Sequence, residues 1–343
     1  MKSSKKLLIL LVLLAGAAVY IFVRDDGTTL NEAESNFAIE NTDEIQRIFI
    51  VDPEGQTADL QKQHDSLWTV NGKYKARQDG IDLILMTAKK ITVKDPVPKN
   101  AVENVIRKLA TSAIKVEFYS KDNDPDKVYY VGHATQNHFG TYMLLETKGK
   151  KSSVPYITYV PGNHGFLTTR FFADEMNWRD RQLFDFGNDN IHSFEISFSE
   201  EPSESYQIQK EDDTFVFAHQ SGNSSKKADP LALSTFMNIL PKLHFEFFIT
   251  GLDSARKDSI LASTPLHQIR VTSSGGKEIS LKTFYKPVLD GKINIATGEP
   301  FEYNVDRLYG LINDREMVSI QWLIMDQLVL KHEDFVIPAF VDN

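Results

Sequence analysis

The chain has 343 residues, 41% hydrophobic and 25% charged with 22 Phe, a composition that builds a folded core and excludes a disordered tail. Its formal net charge is −9, and Lys2, Lys5, Lys6 and Arg24 all flank one apolar segment, so the remainder is more acidic still and poorly suited to nucleic acid. It contains no cysteine, which excludes disulfides, thiolate catalysis and Cys-ligated zinc or iron–sulfur centres.

Residues 7–23, opening at Leu7 and closing at Val23, are unbroken apolar sequence between the lysines and Arg24-Asp25-Asp26. A run with no polar face does not suit a soluble amphipathic helix. Its length is at the short end for a bilayer-spanning helix, and lysines at one end place that end in the cytoplasm. The reading adopted is an uncleaved signal anchor over 1–24, crossing once. A cleaved signal ending near Ala15-Gly16-Ala17 is the competing reading. Residues 25–44, polar and acidic, read as a stalk.

After the stalk the chain resembles itself. Ile48 and Ile50 alternate in strand fashion, as do Phe194 and Ile196. Each group is followed by a further strand, one carrying Trp68 and Val70, the other Phe215 and Phe217. Asn71-Gly72 then predicts a type I′ hairpin turn. Ile81, Ile84, Leu85, Ala88 and Ile91 form one helical stripe, and Leu233, Phe236, Met237, Leu240 and Leu243 repeat its spacing. A second helix follows, with Asn100 placed to cap it and Val102, Val105, Ile106 and Leu109 on its stripe. Pro230 suits the first turn of the helix in the second half, and Pro241 ends it.

Downstream, Val116 and Phe118 match Ile269 and Val271. Pro155-Tyr156 is matched to Pro300-Phe301, and Gly165-Phe166 to Gly310-Leu311. These patterns predict an α+β fold: two tandem repeats of antiparallel strands with interspersed helices, over 45–190 and 191–343, after one N-terminal transmembrane helix.

No pattern identifies a catalytic residue. His133, His138 and His164 form the densest histidine group, but the first two are five apart and no carboxylate lies at ligand spacing, so no metal site is assigned. Asp122, Asp124 and Asp126 begin like a calcium loop, which then fails at Lys127 and His133. Asp185-Phe186-Gly187 copies a kinase triplet without its companions. The most distinctive polar group is Trp178-Arg179-Asp180-Arg181. Arg179, Asp180 and Arg181 are the candidate binding residues, able to grip a carboxylate through arginine forks or to clasp the two repeats by ion pairs. No cofactor is implied.

The anchor, Trp68-Thr69-Val70, Tyr74-Lys75-Ala76 and Arg179-Asp180-Arg181-Gln182-Leu183 together resemble the bacterial domain-of-unknown-function family DUF4340. The resemblance implies an envelope protein in the bacterial inner membrane, with a cytoplasmic N-terminus and a periplasmic ectodomain. It also implies kinship with auxiliary subunits of ABC-type export or gliding-motility systems, and it supplies no catalytic residues. The expected function is a non-enzymatic accessory that binds other envelope proteins. A periplasmic small-ligand-binding or scaffold protein and an envelope hydrolase are the alternatives.

Overall fold

The computed structural model describes residues 32–64, 67–121, 123–219, 228–288, 293 and 297–336. The chain divides into two compact units, Met1–Asp180 and Arg181–Asn343. Each is α+β and carries one antiparallel sheet. The apolar run at 7–23 lies outside the described residues, and among those no helix is long and apolar enough to cross a membrane.

The first unit opens with α1 (Glu32–Ser35), then β1 (Arg47–Val51), β2 (Thr57–His64), β3 (Leu67–Val70) and β4 (Tyr74–Lys75). Helix α2 (Gln78–Lys90), β5 (Thr92–Pro96) and α3 (Lys99–Ser112) follow. The remaining strands are β6 (Ile114–Tyr119), β7 (Lys127–Ala134), β8 (Thr141–Thr147), β9 (Lys150–Lys151) and β10 (Tyr156–Tyr159), before α4 (Glu175–Trp178). The sheet order is β4-β3-β2-β1-β6-β7-β8-β10-β5, with β9 paired to β8. Asn71 and Gly72 both take positive φ, 53° and 63°, as the type I′ turn between β3 and β4 requires.

Strand alternation decides which helix meets which face. Met143 and Leu145 on β8 join Ile48, Ile50, Val116 and Phe118 in a core that α2 closes with Ile81, Ile84 and Ala88. Tyr142 and Leu144, offset by one, pack instead with Val105 and Leu109 of α3. Helix α3 lies close because β7 carries Gly132 beneath it: a Cβ there would stand 2.6 Å from Leu109 Cδ2 and 2.8 Å from the Tyr142 carbonyl. Asn100 is not the cap of α3. Pro98 holds that place, its carbonyl accepting from Ala101 and Val102, and Asn100 falls in the first turn. Ile106, expected on the buried stripe, is exposed.

The stalk reading needs correction over its second half. Phe37 is 1% exposed and sits in the first core with Ile45. The Tyr129 hydroxyl donates to the Phe37 carbonyl, Lys127 Nζ to the Asn36 carbonyl at 2.6 Å, and the Ile39 amide to the Ala88 carbonyl at 2.9 Å. Ser152 Oγ donates to the Glu34 carbonyl at 2.8 Å. Residues 34–44 are thus a strap built into the unit. Their sparse apolar content misleads because one buried Phe, backed by satisfied backbone groups, suffices to fix so short a segment.

The second unit runs β11 (Ile191–Phe198), β12 (Tyr206–Glu211), β13 (Thr214–His219), α5 (Pro230–Ile239), β14 (Phe247–Phe248) and α6 (Ser254–Ala262). It closes with β15 (His267–Ser273), β16 (Glu278–Pro287), β17 (Tyr303–Ile312), β18 (Glu316–Gln321) and α7 (Trp322–Met325). The sheet order is β13-β12-β11-β15-β16-β17-β18-β14. Asp229 caps α5 by accepting from the Leu231 amide at 3.0 Å, with Pro230 in the first turn, and Pro241 lies in a 3-10 turn that ends it. One face packs Phe194, Ile196, Leu233 and Phe236, and the other packs Phe284, Tyr309, Leu311 and Met317 beneath Ile260 of α6.

With β4 and β9 set aside, the two sheets have the same strand order, β10 answering to β18. This replaces part of the sequence matching. Tyr156 lies in β10, whereas Phe301 precedes β17, and Gly310 is inside β17 while Gly165 lies beyond β10. The matching slipped because the loop before β17 displaces the downstream numbering. Leu183, Phe184 and Phe186, placed by sequence at the end of the first repeat, belong to the core of the second unit.

Candidate functional site

The boundary cluster shows how each candidate residue is held. Trp178 is fully buried, its ring stacked on Phe172 at 4.4 Å and its Nε1 donating to the Phe172 carbonyl at 2.7 Å. The Arg77 amide donates to the Trp178 carbonyl and the Asp180 amide to the Lys75 carbonyl, both at 2.8 Å, so residues 178–180 are laced to the end of β4 and the segment after it. Arg179, 7% exposed, lies over the Tyr74 ring with its guanidinium carbon 3.9 Å from the centroid. Asp180 meets Lys75 Nζ at 2.7 Å. Arg181 belongs to the second unit, where its Nη1 donates to the Glu246 carbonyl at 2.6 Å and its carbonyl accepts from the Phe245 amide at 2.9 Å.

The other motifs gather no metal-binding group among the described residues, or serve the fold. His133 on β7 faces Tyr142, His138 lies in a left-handed turn near Phe166, and His164 is beside Phe139. Burial and Lys108 push the His133 pKa down. Among the described residues no group of three or more His, Cys, Asp or Glu is gathered for a metal. Asp126 accepts from the Ser120 amide at 2.7 Å, and Asp185 from the Gly187 amide at 2.9 Å, each closing a turn. Asp122 lies outside the described residues. Trp68 belongs to the core of the first unit, whereas Phe215 and Phe217 are partly buried against the core of the second.

A groove that the sequence did not signal lies in the second unit, with a volume of about 560 Å³. Its walls include Ser199, Glu200, Arg256 and Ile260, with Tyr285 from β16 and Tyr303 from β17. The two tyrosine rings stack at 4.2 Å and 16°. They meet because the β16–β17 ladder slips: Tyr285 pairs with Leu308, but Pro287 pairs with Tyr303. Asn304 Oδ1 secures the extra residues by accepting from the Asp306 and Arg307 amides, each at 2.9 Å. Such a bulge re-aims side chains at a strand end.

Charge surrounds this wall. Burial first, then Glu200, raises the Tyr285 pKa, while desolvation and the neighbouring Arg307 and Arg256 lower that of Lys286. Lys286 Nζ lies over the Phe247 and Tyr309 rings at 5.8 and 5.5 Å. Arg307 grips Glu246 with both forks, at 2.6 and 2.7 Å, and these bonds hold the Glu246 carboxyl below its usual range. A stacked aromatic wall with a carboxylate and a guanidinium at its rim can bind a polar ligand with flat apolar faces. A smaller cavity of about 460 Å³ in the first unit is lined by Lys94, Asp95, Asn137, Phe139 and Tyr142.

A family model described as a domain of unknown function (DUF4340) matches residues 68–263, from Trp68 in β3 to Ser263 just after α6. No curated protein matches the chain.

Proposed function

The chain belongs to the DUF4340 family, and from that premise we propose that it is a membrane-anchored accessory module that binds other envelope proteins without catalysing a reaction. It is held in the bacterial inner membrane by residues 7–23 with its ectodomain in the periplasm, and it is built from tandem copies of one α+β unit. The shared strand order of the two sheets supports the tandem reading. The observation that carries the functional reading is the strap. By Glu34 the chain is packed into the first unit. At no more than about 3.6 Å per residue, the roughly ten residues between Arg24 and that point span at most about 35 Å. An anchored unit on so short a tether stays near the bilayer, where a subunit of an ABC-type transporter or gliding-motility system would meet it.

The test is cross-linking of the full-length protein in native membranes, followed by mild-detergent purification and mass spectrometry. Stoichiometric recovery of permease and ATPase chains is the expected result. Recovery of the protein alone overturns the accessory reading.

The groove favours a second reading, in which the second unit binds a small envelope ligand against Tyr285 and Tyr303. A ligand that raises the melting temperature of the full chain, and no longer does so after Tyr285→Ala, supports it. Absence of any shift across a broad library of envelope metabolites counts against it.

A further inference from the structure

Three buried side-chain polar atoms with no hydrogen-bond partner lie together in the second unit: Tyr206 Oη, His219 Nδ1 and His332 Nε2. Tyr206 and His219 are direct cross-strand partners on β12 and β13, so they share a face. His332 opens the 3-10 turn His332–Phe335, and its ring lies 4.8 Å from that of His219 at 72°. Phe217 lies 4.7 Å from His332 and stacks on Tyr206 at 4.7 Å, while Phe335 closes on Tyr206 at 5.8 Å. Tyr206 is fully buried.

A group of buried, unpaired nitrogen and oxygen atoms in an aromatic shell calls for a guest that satisfies them. Ring spacing separates two such guests, a shared ion and a bridging water. Two imidazoles on one ion, at about 2.1 Å per nitrogen, have centroids roughly 4.5–5.3 Å apart. A water bridging two ring nitrogens at about 2.9 Å spreads them to roughly 6 Å or more. The observed spacing of 4.8 Å falls in the first range, which direct edge-to-face packing of the two rings also spans, so it is the convergence of three unpartnered polar atoms that calls for the ion. We propose that His219 and His332 bind one divalent transition-metal ion of the imidazole-preferring kind, zinc, copper or nickel, with the Tyr206 hydroxyl beside it.

The test uses the full-length chain purified in detergent without a polyhistidine tag and stripped with EDTA. Zinc chloride is titrated while metal content and melting temperature are followed. One equivalent of retained zinc and a rise of about 5 °C are expected for the wild type. His332→Gln and His219→Gln, made separately so that one misfolding variant does not decide the matter, should each abolish both effects. A wild-type protein with no stoichiometric zinc and no shift overturns the proposal. A variant that keeps the full response also overturns it, by placing the metal elsewhere.

Discussion

Truncating Phe37 tests whether residues 34–44 are structural. The ring is 1% exposed and lies 5.7 Å from Tyr129 and 6.1 Å from Tyr156, centroid to centroid. Phe37→Ala removes a full aromatic ring from a core whose sheet and helix walls have little room to collapse, at a cost of about 3–5 kcal/mol. For a domain of this size that corresponds to roughly 6–20 °C in melting temperature. The cost to a solvated stalk residue is within about 0.5 kcal/mol. Two of the three tryptophans, Trp68 and Trp178, are buried in the first unit, and Trp322 lies in the second, so fluorescence-monitored thermal and urea unfolding of the full chain in a Trp322→Phe background reports on the right region. Leu231→Ala, at a side chain 73% exposed, is the matched control and should scarcely move either midpoint. A Phe37→Ala shift no larger than that control refutes the docked strap, and with it the short-tether argument.

Gly132→Ala should cost about 1–3 kcal/mol, since the new Cβ meets both Leu109 and the Tyr142 carbonyl and the backbone atom cannot yield; equilibrium urea unfolding measures it. His267 is largely buried beside Thr283, 2.9 Å from its hydroxyl, and burial pushes its pKa down to about 4. Its contribution is complete above the ordinary histidine value and is lost as pH falls from about 6.5 to about 4, by up to about 3 kcal/mol. In His267→Gln that part of the pH–stability slope should vanish; a parallel slope refutes the assignment. Glu246, its pKa lowered first by the Arg307 hydrogen bond, contributes at neutral pH and ceases to do so as pH falls through its folded value, below about 4.5. Because the paired side chains are 35% and 23% exposed, Glu246→Gln should cost only about 1 kcal/mol at pH 7, converging on wild type once the pH has fallen below the folded value.

What could be seen in the sequence was what local periodicity encodes. Ile48 and Ile50 alternate because one face of β1 is buried, and Ile81, Ile84 and Ala88 recur because one face of α2 is. Asn71-Gly72 announces its turn because few residues accept positive φ twice in succession. The boundary cluster was noticed for its composition, but its composition did not say that Arg179 would be nearly buried over Tyr74. The equivalences after β8 slipped because a loop displaced the count, and only hydrogen-bonded strand order restores it.

By itself, then, the chain specified its α+β class, the DUF4340 resemblance and most strand and helix positions, since each rests on residues a few places apart. Tertiary structure decided that Phe37 is core, that Tyr285 and Tyr303 stack across a slipped ladder, and that Tyr206, His219 and His332 converge. Those features depend on register between distant segments, and register is set by packing of the whole unit, which no local pattern records.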